Sequence, residues 1–169
     1  MQWEEKFLLW IQNNVRGPFL TPFFQCVTHS TDKGAIWIVV AFGMTLFSAT
    51  RRQGILCLLT LATEAIVVNL FFKHTIARLR PFETVEELRV LIEPPDDFSF
   101  PSGHTAVSFA AAASVFFSGY KIAATVLFIF ASLVGCSRLY LGVHYLTDVL
   151  AGAAIGILVA YFVHTAAGG

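Results

Sequence analysis

Three polar clusters in a greasy chain carry side chains suited to chemistry. In KHTIARLRP, Lys73 and Arg80 stand on either side of six residues and Pro81 closes the stretch. In FPSGHTAVSF, Pro101, Ser102, Gly103 and His104 open an apolar run. In SRLYLGVHYLTD, Arg138, His144 and Asp148 sit between two uncharged stretches, AATVLFIFASLVGC and VLAGAAIGILVAYFV. Serine is a good helix N-cap, and the free N–H groups of a helix N-terminus bind anions. Gly103 lets a ligand approach the backbone, and the planar fork of Arg138 suits phosphate oxygens. Lys73, Arg80, Arg138, Ser102 and Gly103 together suit a phosphate group. His144 and Asp148 are four residues apart, which makes them neighbours on one helical face. An aspartate that accepts the Nδ1 proton of a histidine fixes its tautomer and leaves Nε2 free to attack. His144 therefore reads as a nucleophile oriented by Asp148. His104, beside the helix N-terminus, is placed to give a proton to a leaving group.

These residues need elements to hold them, and the composition says which kind. The chain has 169 residues, 56% of them hydrophobic, with seventeen Phe and only 13% charged. Soluble domains carry about a quarter charged residues, so an all-α, polytopic membrane bundle fits better. A spanning helix needs about 20 mostly apolar residues. Five segments qualify, some of them short: 34–50, 54–72, 105–119, 122–136 and 146–163. Residues 19–27 are apolar but brief and contain Pro22, which predicts an interfacial or re-entrant piece. In MQWEEKFLLWIQNNV, Trp3, Phe7, Leu8, Trp10, Ile11 and Val15 recur at roughly helical spacing, with Glu4, Glu5, Gln12 and Asn13 elsewhere. That predicts an amphipathic helix lying in the membrane interface, and it lacks the basic start and long apolar core of a cleavable signal. The organisation expected is one domain, 1–169, with an interfacial segment 1–33 and a helical core 34–169. Zero net charge argues against a nucleic-acid partner. Cys26, Cys57 and Cys136 are scattered and read as small apolar fillers.

Helices that alternate direction put alternate connections on one membrane face. The long polar connection 73–102 and the connection carrying His144 then share a face. All the residues singled out above meet there.

The three clusters, in this order and at these spacings, resemble the signature motifs of the type 2 phosphatidic acid phosphatase superfamily. That superfamily also contains soluble bacterial acid phosphatases and vanadium haloperoxidases. The resemblance covers residues 73–148, and no signature position departs from it. It implies a membrane lipid phosphatase or diphosphatase that uses no metal and no cofactor. By that resemblance His144 forms a phosphohistidine, Asp148 orients it, and His104 protonates the leaving oxygen and later activates water. Lys73, Arg80, Arg138, Ser102 and Gly103 hold the phosphoryl oxygens. The lipid is left open among undecaprenyl diphosphate, phosphatidylglycerol phosphate and phosphatidic acid, with the first two favoured by analogy. The resemblance also implies an outward-facing site. Arg51, Arg52 and Lys121, on the opposite face with no acid beside them, agree; a raw count of Lys and Arg, higher on the site's own face, points the other way.

Other readings compete. Lys73, Arg80 and Arg138 taken singly read as interfacial anchors. The rival functions are an inert lipid-phosphate binding or transport protein on the same scaffold and a vanadate-dependent haloperoxidase. His74 and Arg78, inside the first motif's spacer, read as solvated interfacial side chains. The EPPDD stretch, with Glu93, Asp96 and Asp97, reads as a solvated loop or a rim over the pocket, since nothing is spaced to complete a metal site. Glu64, mid-span, predicts a buried structural hydrogen bond, and Asn69 either orients Lys73 or bonds a neighbouring helix. His29 and His164 read as structural.

Overall fold

The computed structural model describes residues 2–168. Among them there are helices and connections and no strand. In chain order the α-helices are α1 (Gln2–Asn14), α2 (Leu20–Ser30), α3 (Ala35–Thr45), α4 (Arg51–Ala65), α5 (Lys73–Ile76), α6 (Pro81–Thr84), α7 (Gly103–Phe117), α8 (Lys121–Tyr140) and α9 (Leu146–Ala166). A 3₁₀ turn, Asp32–Gly34, precedes α3, and a π-helical stretch, Ile66–Phe72, joins α4 to α5. Among the described residues three segments are long and apolar enough to cross a membrane: Arg51–Thr84, Lys121–Tyr140 and Leu146–Ala166. The expected spans 34–50 and 105–119 form shorter helices, eleven residues in α3 and fifteen in α7. Large apolar side chains such as Val39, Phe42, Leu70, Ile122 and Phe162 point outward from these helices. Such a surface is costly in water and ordinary in lipid.

The core of the bundle is the α7–α9 crossing. Gly152 and Gly156, one turn apart on α9, let the two backbones touch. A Cβ at Gly152 would lie 2.6 Å from Ser102 O, and one at Gly156 would lie 2.3 Å from Ala106 O. The facing side of α7 carries Ala106 and Ala110, one turn apart and both buried. Small residues on both helices permit this close approach. It brings the start of α7 beside the start of α9, where Ser102 N–H donates to Asp148 O at 3.0 Å.

Two short breaks aim the remaining polar residues. Ala77 has a positive φ of 45°, which ends α5 and frees the chain to run extended to Arg80. Gly142, with φ 81°, turns the chain sharply between α8 and α9 and delivers His144 just ahead of α9. The N-terminal segment differs from its expected form at Glu4. α1 does bury Leu8 and Ile11, but the third residue of that buried face is Glu4, expected on the polar side. Residues 20–30 form a regular helix with Pro22 in its first turn, where the missing N–H costs nothing. That helix packs on α8.

Candidate active site

A cavity of about 760 Å³ opens among α3, α4, α7 and α8. Lys73, Arg80, Gly103, His104, Arg138 and His144 all line it. Its other wall is apolar, with Ile38, Leu58, Leu61, Ala62 and Ala65. Arg138, in the last turn of α8, gives one hydrogen bond to Thr28 Oγ1, while its buried Nε–H finds no partner among the described residues. A buried unpaired guanidinium N–H is costly, and here it belongs to a side chain lining the cavity. Gly103 has open space where a Cβ would be, with Val68 Cγ1 4.0 Å away as the nearest atom. Its absent side chain leaves the backbone at the start of α7 accessible.

His144 is buried at the bottom of the site. Arg80 Nη1–H points at its Nε2 across 3.3 Å and donates to Val143 O at 2.8 Å. Nε2 facing a guanidinium carries a lone pair, so the ring proton resides on Nδ1. Nδ1 lies 3.6 Å from Asp148 Oδ2, too far for a full hydrogen bond. The expected helical pairing is not how they meet, because His144 precedes α9. Asp148 folds back to accept Tyr145 N–H at 2.9 Å, a capping box, and the same oxygen accepts from Ser99 Oγ at 2.6 Å. Ser99 Oγ also lies 3.5 Å from His144 Nδ1. The pair is a carboxylate fixed by two donors beside an imidazole.

A second layer holds Asp148. Arg78, expected to be solvated, donates to Asp148 Oδ1 at 2.6 Å, to Thr147 Oγ1 at 2.7 Å and to Glu4 Oε2 at 2.8 Å. Its guanidinium stacks 3.8 Å over the Tyr145 ring. Glu4 Oε1 accepts the Thr147 N–H and hydroxyl at 2.9 and 2.8 Å. Burial alone would raise the Glu4 pKa, but the Thr147 N–H and Arg78 hold it below its ordinary value. The N-terminal helix is thereby bonded to the start of α9.

At the open end of the cavity stand His104 and the loop 93–99. Within that loop Asp97 pairs with both Lys73 Nζ and Arg80 Nη2, and its backbone carbonyl accepts Arg80 Nε–H at 2.7 Å. Burial raises the Asp97 pKa, yet the hydrogen bond and charge of Lys73, with Arg80, bring it down to about 2. The carboxylate sits between two cations as one edge of a phosphate would. Among the described residues no three His, Cys, Asp or Glu side chains converge as a metal cage.

The family model of the PAP2 superfamily matches residues 53–168. The chain belongs to the PAP2 superfamily. An undecaprenyl-diphosphatase from Sulfolobus acidocaldarius is 34% identical over 75% of this chain and 61% of its own length. The chain thus spans somewhat less than two thirds of that relative. The crystal structure of a transmembrane PAP2-type phosphatidylglycerolphosphate phosphatase from Bacillus subtilis superposes with a TM-score of 0.78 at 29% identity, covering 99% of this chain and 85% of that one. Aquifex aeolicus LpxE gives a TM-score of 0.83 at 27% identity, covering 95% and 93%.

The fold brings the three PAP2 motifs to one cavity. Ser102 comes with them, but it is fully buried, and its hydroxyl meets Thr105 Oγ1 at 2.9 Å rather than the cavity. Glu64 is buried at the cavity wall and forms no hydrogen bond among the described residues, because it faces the cavity rather than a neighbouring helix. Asn69 lines the same wall. His74 is exposed, as expected, and His164 is buried against Ser114 at 2.9 Å. His29 is exposed and donates to Asp32. Sequence reasoning missed four residues: Glu4, Arg78, Ser99 and Asp32. Spacing held a signal for Glu4, which shares a helical face with Leu8 and Ile11. It held none for Ser99 or Asp32, whose positions depend on tertiary contacts.

Proposed function

We propose that this chain is an integral-membrane lipid phosphatase that releases a terminal phosphoryl group from a lipid monophosphate or diphosphate through a phosphohistidine, without a metal or cofactor. One observation carries it: His144 Nε2 lies beside Arg80 in a cavity that also holds Lys73, Arg138 with its unpaired N–H, and His104. The phosphoryl oxygens would replace Asp97 between Lys73 and Arg80 and take the free donor of Arg138. His144 Nε2 then forms a bond to phosphorus as the bond to the leaving oxygen breaks, and His104 gives that oxygen its proton. In the second half, water gives its proton to His104 and its oxygen to phosphorus. Free phosphate leaves and Nε2 is restored. The cations and the α7 N-terminus stabilise the charge that builds on the equatorial oxygens. Ser102 holds the first turn of α7 in this scheme.

A lipid substrate is supported by the apolar wall between α3 and α4. The relatives' names favour undecaprenyl diphosphate and phosphatidylglycerol phosphate. The membrane arrangement we favour has five crossings: α3, the α4–α5 run, α7, α8 and α9. α3 would cross with the help of the apolar turn that follows it, where Leu46 and Phe47 are exposed. α1 would lie in the interface with Trp3 and Trp10 turned outward. The site would face outward, with Arg51, Arg52 and Lys121 on the cytoplasmic side.

The test is phosphate release by the purified protein from a panel of lipid phosphates. Activity should persist in EDTA and fall with vanadate, a five-coordinate mimic of the transferring group. Activity lost in EDTA and restored by Mg²⁺ would sink the proposal. Binding of lipid phosphates with no release would favour the inert scaffold.

A further inference from the structure

His104 has a partner that no PAP2 motif contains. Its Nε2–H donates to Asp32 Oδ1 at 2.9 Å. The other oxygen, Oδ2, accepts from His29 Nδ1 at 2.9 Å. Asp32 reaches His104 through an unusual turn: α2 ends at Ser30, and Lys33 and Gly34 both take positive φ, 53° and 69°. A lysine in that region is uncommon. Asp32 is kept ionised: burial raises its pKa, but the hydrogen bonds and charges of His104 and His29 bring it below its ordinary value. The other charged groups acting on His104 are the cations Arg138, from α8, and Lys73, from α5. Both oppose a protonated imidazole, and Asp32 is the anion bonded to it.

We propose that Asp32 is a positioning residue for His104: it accepts the Nε2–H, fixes the ring's tautomer and orientation, and stabilises the imidazolium whose Nδ1–H protonates the leaving-group oxygen. The logic is that of an aspartate behind a catalytic histidine, applied to the acid rather than the nucleophile. The proton on Nδ1 passes to the leaving oxygen as its bond to phosphorus breaks, and Nε2–H stays on Asp32 throughout. When water attacks the phosphohistidine, its proton returns to Nδ1. The proposal rests on His104 being the general acid.

The test compares Asp32→Asn, His104→Ala and the double variant of the full-length enzyme in detergent. Two substrates are used, an alkyl phosphate monoester lipid, whose leaving group needs the proton, and an aryl phosphate, whose leaving group needs it less. Asp32→Asn should lower kcat for the alkyl ester by about 10- to 100-fold, part of the 10²–10⁴-fold that general acid catalysis supplies. KM should stay nearly unchanged, and the pre-steady-state burst of phenol should change by less than about threefold. In the His104→Ala background Asp32→Asn should cost nothing further. Equal losses in the first step on both substrates, or a loss that adds in full to His104→Ala, would overturn the proposal. If His104→Ala itself slows the first step of both substrates alike, the general-acid role falls and the proposal with it. Should Asp32→Asn fold poorly, Asp32→Glu gives the same readout. It keeps the charge one methylene away and should show a smaller loss with the same preference for the alkyl ester.

Discussion

The two histidines of the cavity are held in opposite ways. His144 is buried, and the groups behind it, Asp148, Ser99 and Glu4, are buried too. Every carboxylate oxygen there is matched by a named donor, and Arg78 ties the cluster to the N-terminal helix. His104 side-chain exposure is 25%, and behind it stand Asp32 at 52% and His29 at 61%. In the proposed mechanism the attacking atom must sit in line with phosphorus before any substrate arrives, and a packed shell sets that position. The proposed acid must exchange protons with a departing group and with water, which an open end allows. The same chemical pair, aspartate behind histidine, is thus part of the folded core at one end and a rim contact at the other.

The sharpest way to break this contrast is to remove the two histidines in turn. His144→Ala should lower phosphate release on every substrate by on the order of 10⁴-fold or more, because no leaving group replaces an attacker. His104→Ala should cost about 10²–10⁴-fold on an alkyl monoester and less, in the first step, on an aryl ester. Next in size is Arg78→Ala. It leaves Glu4 and Asp148 as buried carboxylates without their shared cation, and breaking such a pair costs about 3–5 kcal/mol. Thermal unfolding in detergent should shift down by several degrees, while Asp32→Asn, at the open end, should leave it nearly unchanged. A stable Arg78→Ala protein would mean that the nucleophile's end is not built into the fold as described.

The smallest effect concerns Asp97. Its pKa is lowered from 3.8 to about 2 by Lys73 and Arg80. The stabilisation it supplies is complete above the ordinary value and is lost as pH falls through the lowered one. The melting-temperature gap between the ligand-free protein and Asp97→Asn should therefore be flat above about pH 5 and close between about pH 4 and pH 2. The gap should be small, since a half-exposed pair is worth up to about 1 kcal/mol. Because Asp97 occupies the space between the cations, Asp97→Asn should also tighten vanadate inhibition a few-fold. Weaker inhibition would show that Asp97 helps to hold the anion rather than standing in for it.

Most of the cavity's chemistry was legible in the sequence because it lies in short motifs at helix ends. Lys73, Arg80, Gly103, His104, Arg138 and His144 meet as the alternating helices require. Of the partners, Asp148 was legible beside His144 and the others were not. Asp148 is set beside His144 by its capping box with Tyr145 rather than along a helix face, which spacing alone cannot distinguish. Arg78 and Arg80 are two residues apart, yet the break at Ala77 sends one to Asp148 and Glu4 and the other to Asp97 and His144. Asp32 approaches from seventy-two residues away. Helix lengths were legible only in part. Hydropathy marks apolar sequence, but α3 stops at Thr45 where its apolar stretch continues, and α8 runs to Tyr140, carrying Arg138 inside the helix.

The central claim is that His144, and not His104, carries the phosphoryl group. It is tested most directly by trapping the intermediate. The His104→Ala protein, slowed in its second step, is mixed with an aryl phosphate, quenched in alkali within milliseconds and digested for mass spectrometry. The expected result is a phosphoryl group on the peptide containing His144, stable in base and lost in acid, accompanied by a burst of phenol. A label on any other residue, or turnover of aryl phosphate by His144→Ala at the rate of the unaltered protein, would contradict it.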